Sequence, residues 1–178
     1  MTDPLPRLPR PLRLAALPLP LPPLSLFLGA VTRRMSKSHP EMIRRLGDYG
    51  GHRFLIDPVD LPWLLLLHPA SGAMTAHRRA RPPAHDARIA GPLSAFLAMM
   101  HGAEDGDALF FSRDLTVEGD TAAVLALRNA IDDAELDLAE ELAALSGPLA
   151  TPLRGFLSGA ERATGLTLHR MTRLDDFA

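Results

Sequence analysis

The sequence predicts an α/β (α+β) fold in which short strands and amphipathic helices share one apolar core, and three observations predict it. Apolar residues recur at helical spacing in Leu24, Phe27, Leu28 and Val31. Between residues 52 and 90 the apolar runs shorten to strand length and are bracketed by proline and glycine, and residues 108–131 read as strand, tight turn and helix. With 178 residues the chain has room for one ordinary domain with a tail.

The tail is residues 1–23, which hold eight of the 17 prolines in alternation with Leu and Arg. That composition favours extended, polyproline-like chain. Arg7, Arg10 and Arg13 followed by Leu14–Val31 have the layout of an export signal, but Pro18, Pro20, Pro22 and Pro23 break the apolar run. The uninterrupted apolar helix, Leu24–Val31, falls far short of the roughly 20 residues that span a bilayer. A cytoplasmic location is expected, with peripheral contact at the inner membrane left open.

Residues 24–47 read as two basic amphipathic helices. Arg33, Arg34 and Lys37 close the first, where the helix dipole favours cations; His39-Pro40 interrupts, and Glu41–Leu46 continues to Gly47. After the Gly50-Gly51 breaker, His52–Asp57 is a strand with Phe54 and Ile56 on one face, and Trp63–Leu67 is a strand buried on both faces. Ala73–His77 follows as a strand, Arg78–Pro83 as a basic loop, and Ala87–Ala90 as a short edge strand. Gly91-Pro92 opens a helix with Leu93, Phe96, Leu97 and Met100 in one stripe, and residues 102–107 form an acidic loop.

Next, Ala108–Phe111 and Leu115–Glu118 are strand-like, Gly119 breaks the run, and Asp120 or Thr121 caps a helix whose Val124, Leu127 and Ile131 face inward. Helices are expected over Ala134–Leu145 and about Pro152–Ala163, with Leu153, Phe156 and Leu157 on one face of the latter, and a terminal strand over Thr167–Met171.

Charge and chemistry narrow the function. The net charge of −2 gives no global basic field for nucleic acid, and the absence of cysteine excludes disulfides, thiolate chemistry and Cys-based metal sites. The neutrality hides a split: residues 1–53 carry nine basic and three acidic side chains, whereas residues 104–141 carry twelve acids against Arg113 and Arg128. A basic end facing a membrane or acidic partner accounts for this, as does a plain solvated face, which is the commoner explanation of a charge cluster. His68, His77 and His85 with Asp86 match no metal-ligand spacing and read as loop histidines, while Ser112 and Asp114 lack a nucleophile context. Glu118 and Asp120 read as capping or solvated carboxylates. No catalytic residue, metal or cofactor is expected.

The runs Arg88–Met100, Ala108–Thr121 and Leu125–Asp132 resemble the C-terminal half of the sterol-carrier-protein lipid-binding domain. Within that family the wording Phe-Phe-Ser-Arg-x-Leu-x-Val-Glu-Gly-Asp-Thr over residues 110–121 is most similar to its bacterial branch of ubiquinone biosynthesis accessory factors, the UbiT branch. His39-Pro40, Leu46-Gly47-Asp48 and Arg53–Pro58 agree with it, and the resemblance covers residues 18–145. It implies a mostly antiparallel five-stranded sheet covered by helices that enclose an apolar cavity, with residues 48–145 as the lipid-binding domain and residues 146–178 as a C-terminal helix and tail that could close the cavity. It further implies a non-catalytic accessory factor for oxygen-independent ubiquinone biosynthesis, binding prenylated quinone precursors and working beside the hydroxylase pair UbiU and UbiV. A scaffold, or a general phospholipid or fatty-acid carrier, is the alternative.

Burial yields about 0.8 kcal/mol per CH₂, so a full octaprenyl tail would exceed the roughly 20 kcal/mol ceiling of non-covalent binding. Partial burial in a tunnel or open groove is therefore expected, lined by Phe54, Ile56, Trp63, Leu65, Phe96, Met100, Phe110, Leu153, Phe156 and Leu157. Taken singly, each of these positions reads first as a core residue touching only protein. Leu24, Phe27, Leu28, Arg33 and Arg34 are the expected membrane contacts.

Overall fold

Pro22 and Pro23 lie in the first turn of a helix, where the proline content of the tail predicts extended chain. In the computed structural model, which describes residues 20–101 and 115–134, helix α1 spans Leu21–Ser38 and has proline in its first positions, where backbone N–H groups have no intrahelical acceptor. The predicted boundary at residue 23 therefore moves back to Leu21. Helix α2 spans Pro40–Leu46 and ends at Gly47, and a 3₁₀ turn over Gly47–Gly51 leads into the sheet.

Strands β1 (Phe54–Pro58), β2 (Trp63–His68), β3 (Ala73–Arg78), β4 (Ala87–Gly91) and β5 (Thr116–Gly119) form one five-stranded sheet in the order β3-β2-β1-β4-β5. Three ladders are antiparallel, and β1 pairs with β4 in parallel from Phe54↔Ala87 to Pro58↔Gly91. The mostly antiparallel five-stranded expectation holds. The position of β4 does not: it lies between β1 and β5, so it is an interior strand and not an edge. Its Ala87, Ile89, Ala90 and Gly91 are all buried, as an interior strand requires.

Helix α3 (Leu93–His101) follows β4, and α4 (Thr121–Ala134) follows β5. The first turn of α3 draws on a distant loop, because the Leu93 N–H donates to Asp60 Oδ1 at 3.0 Å. Asp120 caps α4, accepting the Ala123 N–H on Oδ1 at 3.0 Å, as its place before the helix predicted. The Gly119 backbone has φ +82°, a conformation that side chains with a Cβ rarely adopt.

The core lies between one sheet face and α2, α3 and α4. It unites Leu46, Phe54, Leu67, Ile89, Phe96, Met99, Val124 and Leu127, and full burial of each such large side chain is worth roughly 1.5–3 kcal/mol. Val124 and Leu127 face inward as their spacing predicted, and Ile131 packs at the margin. Helix α1 is placed differently, running along the open side of β3. Ser25 Oγ accepts the Ala76 N–H at 2.9 Å, and at the other end Gly72 approaches Arg33 and Ser36 so closely that a Cβ there would stand 3.2 Å from the Arg33 Cα. Val31 and Met35 of α1 pack separately with Ala134 and Met42.

The predicted strand over Ala108–Phe111, the acidic loop, the helices over residues 134–145 and 152–163, the terminal strand and the C-terminal segment 146–178 lie outside the described residues.

Candidate functional site

Strand alternation and register place the apolar candidates together. Phe54 pairs with Leu67 and Ile56 with Leu65 across the β1–β2 ladder, and Trp63 lies two residues from Leu65 on the same face. Phe54, Ile56, Trp63 and Leu65 thus share the sheet face that meets the helices. Their environments differ. Phe54 is fully buried and belongs with Phe96 to the packed core, Trp63 is buried, and Ile56 and Leu65 are half-buried. Met100 is part of α3, but its side chain lies outside what is described, as do Phe110, Leu153, Phe156 and Leu157.

On α1 the apolar stripe read from the sequence divides in two. Val31 turns inward, Leu24 and Leu28 are half-buried, and the outward apolar side chains are Phe27 and Leu26, which are 51% and 71% exposed. The split follows from the docking of α1 on β3, which turns the Ser25 and Gly29 side of the helix toward the strand. Leu26 is the residue that periodicity alone missed. Arg33 is exposed and Arg34 half-buried. No helix among the described residues is long and apolar enough to cross a membrane.

The opposite sheet face carries charge. Asp57, buried on β1, stands 2.6 Å from Arg79 Nη1 and 2.6 Å from Arg88 Nη2, and Arg88 Nη1 also holds both carboxylate oxygens of Glu118 at 2.9–3.0 Å. The hydrogen bond to Asp57, then that to Glu118, raises the Arg88 pKa. Arg79 is fixed further by donating from Nε to the Leu61 carbonyl at 2.9 Å. These carboxylates and guanidiniums neutralise one another, an arrangement suited to holding strands and turns in place.

The histidines are similarly occupied. His68 lies at the end of β2 and His77 within β3, so the loop assignment holds for His85 and not for these two. His68 Nδ1 is 2.9 Å from Ser71 Oγ, His77 Nε2 is 2.8 Å from Thr75 Oγ1, and His85 Nδ1 is 2.8 Å from the Pro83 carbonyl. Asp86 is bound by Arg53. Among the described residues no three His, Asp or Glu side chains gather as a metal site.

A groove of about 620 Å³ opens between the C-terminal half of α1, helix α2 and the β2–β3 turn. Arg33, Lys37 and Arg44 line it with apolar Pro40 and Ile43, and Arg33 and Lys37 also face a neighbouring hollow of about 370 Å³. Sequence reasoning registered these cations as a basic front but could not bring them together with a turn some 35 residues later.

A model of the SCP-2 sterol transfer family matches residues 30–132, more than half of the chain, from the middle of α1 to the end of α4. The chain belongs to the SCP-2 sterol transfer family. Among solved structures it is similar to a UbiJ-SCP2 ubiquinone synthesis protein, with a TM-score of 0.53 at 17% identity, covering 66% of this chain and 96% of that one. It also matches sterol carrier protein 2 from Yarrowia lipolytica, with a TM-score of 0.43 at 13% identity over 63% of this chain and 92% of the other. The shared fold rests on the first of these. Among curated proteins none matches. The SCP-2 domain is a lipid-binding domain.

Proposed function

We propose that this SCP-2 protein is a non-catalytic carrier for oxygen-independent ubiquinone biosynthesis, binding prenylated quinone precursors and presenting them to a UbiU/UbiV-type hydroxylase pair. Family membership carries the lipid-binding part of the reading. The Glu118-Gly119-Asp120-Thr121 wording and the preceding Phe110-Phe111-Ser112-Arg113 run support the ubiquinone part. In this reading Ile56, Trp63 and Leu65, with Phe54 and Phe96 behind them, form the apolar wall against which an isoprenoid chain rests, joined by Met100, Phe110, Leu153, Phe156 and Leu157. Apolar pockets commonly measure about 300–1,000 Å³, which suits part of such a chain.

Lipid extraction from the purified protein followed by mass spectrometry tests the carrier role, and recovery of isoprenoid quinone precursors is the expected result. Protein that yields no lipid and takes up no octaprenylphenol would sink it. A deletion strain should lose ubiquinone without oxygen and retain it with oxygen.

The outward Leu26 and Phe27, flanked by Leu24, Leu28, Arg33 and Arg34, would make the peripheral membrane contact that allows loading. Leu26→Ser with Phe27→Ser in the full chain should reduce flotation with anionic liposomes; unchanged flotation removes α1 from the mechanism. One observation favours a scaffold instead, namely that Phe54 and Phe96 already fill the core between sheet and helices. Under that reading neither lipid recovery nor lipid uptake would occur.

A further inference from the structure

We propose that the Ser94 hydroxyl is the hydrogen-bonding partner of the oxygen-bearing ring of the bound lipid, so that the ring lies at the Trp63 end of the sheet. The proposal rests on the carrier reading and adds to it the orientation of the ligand and the residue that recognises its polar end.

The strands bring one end of the apolar wall next to the start of α3. Strands β1 and β4 run in parallel and finish together at Pro58 and Gly91, and the antiparallel β2 begins beside them with Trp63. Two residues beyond Gly91 the chain enters α3, whose first turn is pinned because the Leu93 N–H donates to the buried Asp60 carboxylate. Ser94 is therefore held at the same end as Trp63. The packed core occupies the other end, where Phe54 pairs with Leu67 and Ala87, and from α3 it takes Ala95, Phe96, Ala98 and Met99. Trp63 and Leu97 are buried, at 8% and 5% exposure, yet belong to no packed cluster of the described residues. Leu97 stands three positions from Ser94, on the same side of the helix.

Ser94 is 6% exposed, and its Oγ makes no hydrogen bond among the described residues. A buried hydroxyl without a partner is unfavourable, and in apolar surroundings the occupant that relieves it brings one oxygen on an otherwise hydrocarbon body. The Asp60 carboxylate at the same helix start disfavours an anionic headgroup, so the ligand end that fits is neutral. A hydroxyl both donates and accepts. Ser94 thus serves a phenol, which donates to it, and a quinone carbonyl, which accepts from it, as a carrier of precursors at more than one oxidation level requires.

The test is equilibrium dialysis of the full chain with 2-geranylphenol and with geranylbenzene, two ligands that differ only in the ring hydroxyl. Emission from Trp63, the single tryptophan of the sequence, is followed in parallel and should shift with both. The parent protein should hold the phenol about five- to tenfold more tightly, the value of one hydrogen bond, and Ser94→Ala should abolish this preference by weakening the phenol alone. In urea Ser94→Ala should unfold no earlier than the parent, since the hydroxyl it removes is unpaired in the free protein and alanine is the better helix former. Equal affinity of the parent for both ligands, a preference that survives Ser94→Ala, or binding that leaves Trp63 emission unchanged overturns the proposal and leaves the carrier reading standing. Early unfolding of Ser94→Ala also overturns it, because the hydroxyl would then have a partner within the fold. Failure to bind either ligand removes the carrier reading and this proposal with it.

Discussion

Arg53 grips Asp86 with both its backbone and its side chain. The Arg53 N–H donates to Asp86 Oδ2 at 2.8 Å, Nε to the same oxygen at 3.2 Å, and Nη2 to Oδ1 at 3.0 Å. The carboxylate closes the start of β1 against the start of β4, where the Asp86 N–H in turn donates to the Arg53 carbonyl. Hydrogen bonds from the Arg53 side chain, then from its backbone, lower the Asp86 pKa to about 2.

This pair predicts an acid-dependent loss of stability. A carboxyl group with a depressed folded-state pKa stabilises the fold above its unfolded value of about 3.9, and the contribution fades as pH falls toward about 2. Thermal melts in that window should decline less steeply for Asp86→Asn than for the parent chain. Both side chains are substantially exposed, so salt should weaken the effect; identical pH profiles for the two proteins would remove Asp86 from the account.

Gly119 should resist substitution. Its φ is positive, and a Cβ would lie 2.5 Å from the Asp86 carbonyl oxygen and 3.2 Å from the Ala87 Cα. Gly119→Ala must therefore both strain the backbone and push β5 from β4, at a cost of about 2 kcal/mol or more in urea unfolding. A loss below about 0.5 kcal/mol would show that the turn relaxes freely.

Core and ligand wall can be separated by two substitutions on one sheet face. Phe54→Ala removes a fully buried ring and should cost about 3–5 kcal/mol. Leu65→Ala, at a half-buried position, should cost about half as much while lowering retained lipid. Unchanged lipid content in a folded Leu65→Ala protein assigns this position to packing alone.

Asp57 lies between two arginines with its carboxylate buried. Arg79→Ala leaves it with Arg88 and should destabilise by about 2 kcal/mol, less than the 3–5 kcal/mol of a wholly buried pair because both arginines reach solvent. Comparing urea midpoints of Arg79→Ala and Arg79→Lys checks this, with lysine recovering part of the loss.

The contact between α1 and β3 has its own signature. Ser25→Ala leaves the Ala76 N–H without its acceptor, at a cost of about 1 kcal/mol. Hydrogen exchange at Ala76 should accelerate; an unaltered rate would mean that α1 contributes little to this edge.

Local chemistry made much of this fold legible in the sequence. The presence of strands near Phe54–Pro58 and Trp63–His68, though not their ends predicted at His52, Asp57 and Leu67, the Asp120 cap and the inward face of Val124 and Leu127 all depend on neighbours within a few residues. Pairing over long separations was not legible. Ala87–Gly91 is short and carries Arg88, so it resembles an edge strand until its partner on each side is known; Asp57 and Glu118 accommodate that arginine from either side. Leu26 and Ser25 show the same limit, because helical period reveals that α1 has faces but not which of them meets β3. The basic groove joins Arg33, Arg44 and Gly72 from three segments, a proximity that no local pattern encodes. Of the predicted apolar wall, the two-residue strand period pairs Phe54 with Ile56 and Trp63 with Leu65, whereas the β1–β2 register, Ile56↔Leu65, is what puts both pairs on one face.

Helix α1 also acts as an edge guard. As the terminal strand of the sheet, β3 would present backbone groups to any passing extended chain, and a sheet edge of that kind templates intermolecular strand addition. Ser25 against Ala76, Gly29 near the Met74 carbonyl and Arg33 against Gly72 cover it with helix. Removal of α1 would thus expose the β3 backbone and leave the uncovered sheet open to self-association.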